Sequence, residues 1–280
     1  MSGKLLGGQA RAPGTQLEVD AVIVGSGAGG AAVAAELTRA GMSVAVLEQG
    51  RSFATGEVIA KPSWAFANLY LDQGPLVAKG RIMTPLAAGS AVGGSTFVNS
   101  AICFRAPDDV LAEWTRDFGS PWTRERLEPL FIEIENALEV AKTTPELARN
   151  NSLVFKRGAD KLGLRGDFIS RNAPGCVGCG VCQLGCPIGG KGSVDKNLLP
   201  QAIERGASVY SEVRARDPQG TARLSADPKR GVCKPSGETW DVERLFVADG
   251  SLFPSALGVN PQITILAMAT GIARDVVKRG

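Results

Sequence analysis

Residues 20–50 read DAVIVGSGAGGAAVAAELTRAGMSVAVLEQG, and the order of residue types within them points to one fold. Residues 21–24 are a short apolar run ending at glycine, the pattern of a strand covered on both faces of a parallel sheet. Gly25-x-Gly27-x-x-Gly30 follows at once. Residues 31–39 are helix-forming and rich in small side chains, and residues 43–47 read as a second buried strand with Glu48 at its end. Strand, glycine turn, helix and strand make a βαβ unit. The three glycines serve different ends, with a tight turn at Gly25, room for a pyrophosphate at Gly27, and close helix-to-strand packing at Gly30. The helix N-terminus then faces the phosphates, and Glu48 is placed to accept a ribose hydroxyl. The expected fold class is α/β, a Rossmann-like parallel sheet with helices that binds a dinucleotide.

Composition narrows the rest. With 280 residues, 44% of them hydrophobic, the chain can bury a real core in one large domain or two modest ones. Lys and Arg number 31 against 28 Asp and Glu, intermixed, so there is no basic stripe for a phosphate backbone and nucleic acid is not an expected partner. No run reaches ~18 uninterrupted apolar residues, so no transmembrane segment is expected. The opening MSGKLLGGQARAPGTQ lacks the apolar core of a secretory signal. The reading is a cytoplasmic protein, in a reducing compartment where clustered cysteines bind metal or do redox chemistry more readily than they form structural disulfides. Histidine is absent.

Two distant segments bear on which dinucleotide is bound. Residues 89–105 read GSAVGGSTFVNSAICFR and residues 245–265 read LFVADGSLFPSALGVNPQITI. Residues 245–248 have the pattern of another buried strand, and Asp249-Gly250 at its carboxyl end lies where open α/β sheets hold ligands. Asn260-Pro261 opens a helix, asparagine as N-cap and proline at the first helical position, with apolar residues recurring at Ile265, Ala269, Ile272 and Val276. Backbone N–H groups at that N-terminus stabilise negative charge on a reduced cofactor.

Together these segments resemble the glucose-methanol-choline (GMC) oxidoreductases, in particular the branch of long-chain alcohol oxidases and related bacterial dehydrogenases. The resemblance implies FAD as cofactor. It places Gly93, Gly94, Ser95 and Asn99 along the isoalloxazine ring and pyrophosphate, and Asp249 and Gly250 at the ribityl and phosphate region. Val213, at the end of the adenine-side strand, and Asn260, Pro261 and Thr264, at the start of the last helix, complete the implied cofactor site.

Elsewhere, residues 114–122 read as turns, and residues 125–141 as a helix with Leu127, Leu130, Phe131, Ile134 and Leu138 on one stripe. Residues 150–173 read as a polar loop, 198–204 as a short helix, and 207–213 as a strand returning to the dinucleotide sheet. The expected organisation is a flexible tail over 1–17, a discontinuous FAD-binding domain of 18–102 and 206–280, and a helical and loop insertion over 103–205.

That insertion carries Cys176-x2-Cys179-x2-Cys182-x3-Cys186-Pro187, four of the six cysteines. The spacing matches the bacterial ferredoxin run and would supply three or four thiolates to an iron-sulfur cluster. Zinc, disulfides and free thiols stay open as alternatives. Cys103 and Cys233 stand alone and read as buried thiols. A cluster beside a flavin would pass its electrons singly to an external carrier.

Oxidising an alcohol by hydride transfer requires a base for the hydroxyl proton. The resemblance places a histidine at the head of a His-x-x-Gly-Thr-x-Arg motif, where this chain has Asp217-Pro-Gln-Gly220-Thr221-Ala-Arg223, and its catalytic partner at Asn260. Asp217 and Asn260 are therefore the candidate catalytic residues. An exposed aspartate, with a pKa near ~3.9, needs burial to serve as a base at neutral pH. Without histidine a histidyl-linked flavin is excluded, so FAD is expected to be noncovalent. Members of the family are longer and carry a substrate-binding domain between the strand ending near Val213 and the Asp217 motif; this chain joins the two directly. A completing subunit or an electron-acceptor protein is accordingly an expected partner. The expected function is oxidation of the CH–OH group of a small-molecule alcohol, with hydride passing to flavin N5 and electrons going on to an external acceptor. The alternatives are an electron-transfer flavoprotein module with an iron-sulfur cluster, or a truncated homologue without activity.

Overall fold

A computed structural model describes residues 3–7, 16–74, 76–78, 83–213 and 222–279. Its elements in chain order are β1 (Lys4–Leu6), β2 (Ala21–Val24), α1 (Ala28–Arg39), β3 (Val44–Leu47), α2 (Pro62–Leu69), β4 (Leu76–Ala78), β5 (Thr84–Leu86), α3 (Asp108–Phe118), α4 (Arg124–Ala137), β6 (Ala141–Lys142), α5 (Pro145–Lys161), β7 (Ser170–Arg171), α6 (Leu198–Glu204), β8 (Ser208–Tyr210) and α7 (Gln262–Val277). The central sheet is parallel, in the order β1-β8-β3-β2, with Val46 opposite both Ile23 and Val209.

The βαβ unit is as the sequence predicts, and β8 rejoins its sheet beside β3. Helix α1 packs against α6 and α7 because Ala31, Ala32, Ala34 and Ala35 leave almost no side-chain bulk on its buried faces. The larger core lies on the other side of α7, where Trp114, Trp122, Leu127 and Phe131 from the α3–α4 region meet Ile263, Leu266 and Ile272. One cation ties these layers together: Arg274 on α7 donates to Glu36 on α1 and to Glu133 on α4.

Several expectations give way to the structure. Segment 4–6, inside the expected tail, is a strand paired with β8. Among the described residues β2 is an edge strand and is not covered on both faces, with Val22 and Val24 60% and 59% exposed. Residues 245–248 form no strand beside it, because their hydrogen bonds go to a neighbouring turn: Leu245 O accepts from Thr239 N–H and Val247 N–H donates to Gly237 O, both at 2.9 Å. The turn reading of 114–122 holds only from Gly119, which closes α3 with φ +65°. Residues 150–161 are helical rather than loop: the helix continues past a break at Arg149 (φ +56°), with most of its side chains exposed and Ala159 buried.

Candidate functional site

The glycine turn, the 93–99 segment, the Asp249 corner and the first turn of α7 meet at the carboxyl ends of β2 and β3. Gly25 turns with φ +89°, its N–H on Leu47 O at 2.8 Å. A Cβ at Gly30 would lie 1.9 Å from Gly25 O, one at Gly94 2.8 Å from Gly27 Cα, and one at Gly29 2.0 Å from Ala248 O. The glycines are what let three chain segments touch.

Glu48 is buried, 4% exposed, and its carboxylate is largely committed. Oε2 accepts from Ser26 N–H at 2.9 Å and Ser26 Oγ at 2.7 Å, and Oε1 accepts from Gly50 N–H at 2.7 Å. About one of its roughly four acceptor positions is left for a ribose hydroxyl. Ser26 Oγ also accepts from Gly93 N–H at 3.0 Å, so Ser26 links the glycine turn to the 93–99 segment. Val213 N–H donates to Glu48 O at 2.9 Å, which brings the end of β8 to the same place. Ser95 Oγ accepts from Gly89 N–H at 3.0 Å. Asn99 donates to Gln262 Oε1 and accepts from Ala101 N–H, which ties its segment to α7. Asp195 lies beneath Gly93, where burial raises its carboxyl pKa.

At the start of α7, Pro261 already has helical angles (φ −84°, ψ −9°), and no side chain caps the helix. Asn260 is exposed just outside and does not act as the expected N-cap. Asp249 accepts from Ser251 N–H and Oγ at 2.8 and 2.6 Å, shaping the corner that Gly250 continues. Two buried polar atoms here have no hydrogen-bond partner, Gln262 Nε2 and Thr264 Oγ1. Orphaned polar atoms at a helix N-terminus, tied through Asn99 to the segment whose Gly94 closely approaches Gly27, suit the polar edge and pyrophosphate of FAD. The residues present fit that cofactor. Asp217 lies outside the described residues, as do Gly220 and Thr221.

The cysteine run does not converge. Arg171 donates to the sulfurs of Cys176 and Cys182, Cys186 faces a separate pocket with Phe97 and Lys191, and Cys179 is exposed. Among the described residues no three His, Cys, Asp or Glu side chains are arranged to hold a metal ion, so the expected iron-sulfur or zinc ligation finds no support in this geometry. Arg171 and the Gly178 N–H donate to two of the four sulfurs. Cys103 and Cys233 are buried, as expected.

Ser26, Gly29, Gln262 and Lys191 were not singled out by sequence. Lys191 is 3% exposed, and its ammonium donates to Phe97 O, Asn99 O and Cys182 O at 2.5, 3.0 and 3.3 Å. Burial pushes its pKa down from 10.5 to about 8. Between those values the unfolded chain holds a proton that the folded chain has released, so stability gains with rising pH. Above 9 the buried thiols of Cys103 and Cys233, pushed up to about 11, act in the opposite sense. Urea melts are therefore expected to show stability rising from pH 8 to 9, and Lys191→Met to remove that rise; an unchanged slope in the variant would count against a buried, proton-shedding lysine.

A parallel sheet whose βαβ crossover opens on a glycine turn, faced by a helix N-terminus from the far end of the chain, defines a Rossmann-like dinucleotide-binding fold. Sequence profiles of the GMC oxidoreductases match residues 19–218 and 179–269, and the chain belongs to that family. It is 42% identical over 254 residues to a GMC-type oxidoreductase of Mycobacterium tuberculosis, covering 87% of this chain and 40% of that one. It is 35% identical over 206 residues to a long-chain-alcohol oxidase of Arabidopsis thaliana, covering 71% and 27%. Among solved structures, pyridoxine 4-oxidase from Mesorbium loti shares the fold, with TM-score 0.52 and 17% identity over 74% of this chain and 45% of that one. The chain thus spans less than half the length of these relatives. Among the described residues no helix is long and apolar enough to cross a membrane.

Proposed function

We propose that the chain binds FAD noncovalently along this crevice and oxidises the CH–OH group of a small-molecule alcohol, with electrons going on to an external acceptor. The observation that carries this reading is the meeting of Gly27, Gly94 and the Asp249 corner beside two orphaned buried donors on α7. FAD, when bound, supplies the hydride acceptor. Gln262 Nε2 and Thr264 Oγ1 would donate to its polar groups, and the N-terminal dipole of the sixteen-residue α7 would favour negative charge there. Asn260, exposed at the mouth, would orient the alcohol hydroxyl; its amide cannot take the proton. Asp217 would accept that proton, which requires a pKa raised well above ~3.9.

The test is uptake of FAD by the purified chain, followed by anaerobic addition of primary alcohols. Loss of the oxidised-flavin absorbance on adding alcohol supports the whole reading. A yellow protein that does not bleach supports FAD binding alone, and no uptake at high micromolar FAD overturns both. Thr264→Val is expected to weaken FAD about tenfold, the equivalent of one hydrogen bond to a buried donor.

A further inference from the structure

The six cysteines fall into distinct environments. Cys103 and Cys233 are buried and poorly nucleophilic, their thiols pushed up to about 11 by desolvation. Cys176, Cys179 and Cys182 instead line a groove of about 1120 Å³ between α5 and the cysteine loop. Within it two sulfurs share one guanidinium. Arg171 Nη1 donates to Cys176 Sγ at 3.8 Å and Nη2 to Cys182 Sγ at 3.0 Å, while Gly178 N–H donates to Cys176 Sγ at 3.4 Å.

The same guanidinium also holds the end of the 93–99 segment. Its Nε and Nη2 donate to Ser100 O at 3.2 and 3.0 Å, one residue beyond Asn99. Lys191 makes a second bridge, from Cys182 O to the carbonyls of Phe97 and Asn99. Arg149, held at φ +56°, fixes the far side of the loop by donating to Gly178 O at 2.9 and 2.6 Å. Cys182 is thus joined through Arg171 to Ser100 and through Lys191 to Phe97 and Asn99, at the end of the segment that carries Gly93 and Gly94.

We propose that Cys176 and Cys182 are a thiol redox pair: as thiols they hold Arg171 on Ser100, and oxidised to a disulfide they release it. The effect on the cofactor rests on the FAD reading above. The oxidant is a hydroperoxide. The Cys182 sulfur, nearer Arg171, attacks the distal oxygen; the O–O bond breaks, giving a sulfenic acid and one molecule of alcohol or water. The Cys176 sulfur then displaces the sulfenic oxygen, which leaves as water as the S–S bond forms. Two thiol hydrogens and two electrons have passed to the peroxide. A bond of about 2.05 Å leaves no room for a guanidinium between the sulfurs. Drawing the two sulfurs together takes them away from the separate positions at which Nη1 and Nη2 now meet them, so Arg171 loses those two contacts. Gly178 and Gly180, at φ +70° and +75°, give the loop the freedom to close. Cys179 is exposed and outside the Arg171 pair.

The test uses the full chain, fully reduced and freed of reductant, then given limiting hydrogen peroxide. Intact mass is expected to fall by two hydrogens, and peptide mapping to link Cys176 to Cys182, with Cys103 and Cys233 alkylated only after unfolding. FAD affinity is expected to drop about tenfold in the oxidised chain. Cys182→Ser should abolish both the link and the peroxide sensitivity of FAD binding. Arg171→Lys, which cannot span both sulfurs and Ser100, should leave the reduced chain with the weaker, oxidised-like affinity. A link through Cys179 or Cys186, sulfinic acid without a link, or equal FAD affinity in both states overturns the proposal. A reduced chain that takes up no FAD sinks the functional reading and the coupling with it, while the peptide map still decides the thiol pair.

Discussion

Gly29→Ala is expected to cost about 3 kcal/mol of unfolding free energy and to abolish FAD uptake, the upper range for forcing extra volume into packed structure. The added methyl would stand 2.0 Å from Ala248 O, 3.0 Å from Ala248 C and 3.4 Å from Asp249 Cα, all backbone atoms that no rotamer change can move aside. Helix α1 cannot retreat, since its other faces are packed against the sheet, α6 and α7. The Asp249 corner must move instead, away from the glycine turn it has to face. Gly56→Ala, where a methyl would meet nothing within 4 Å, is the control and should leave both quantities unchanged or slightly improved. Urea denaturation and flavin fluorescence read the two effects; a Gly29→Ala chain that melts and binds like its parent would mean that the corners do not touch.

Trp114→Ala is expected to remove about 3–5 kcal/mol, a large share of the 5–15 kcal/mol typical of a whole domain. The indole is fully buried, packs on Phe253 with centroids 5.0 Å apart, and donates from Nε1 to Ser255 Oγ at 2.8 Å. Both partners belong to the segment that follows the Asp249-Gly250 corner, so the loss should appear in FAD affinity as well as in the denaturation midpoint. Trp114→Phe, which keeps most of the apolar volume and loses the N–H donor, should recover more than half of the lost stability. Equal destabilisation by the two variants would show that the hydrogen bond, not the packing, matters there.

The parts of this molecule that sequence alone reveals are those in which neighbouring residues carry the information. The βαβ unit is one: glycine φ values, a strand ending at Val24 and an alanine-rich helix are all set within 28 residues of each other, from residue 20 to residue 47. Helix α7 is another, since its apolar residues recur on a helical period. What could not be read depends on contacts across the chain. Ser26 stands at a variable position of the glycine motif, and its importance comes from Glu48, 22 residues on, and Gly93, 67 residues on. The cysteine run shows the same limit in sharper form. Its spacing is that of a metal-binding loop, yet the guanidinium of Arg171 meets the sulfurs and the ammonium of Lys191 holds the Cys182 carbonyl. Nothing within residues 21–24 shows that β2 has a partner on only one side, because an edge strand and a central strand can share one apolar run.

That one-sided strand has a consequence for how the molecule can be enlarged. Of the sheet's two flanks, β1 offers only three residues, whereas β2 presents two exposed valines beside backbone groups that face outward. Among the described residues, the sheet is thus left unfinished on the flank whose strand runs straight into the glycine turn.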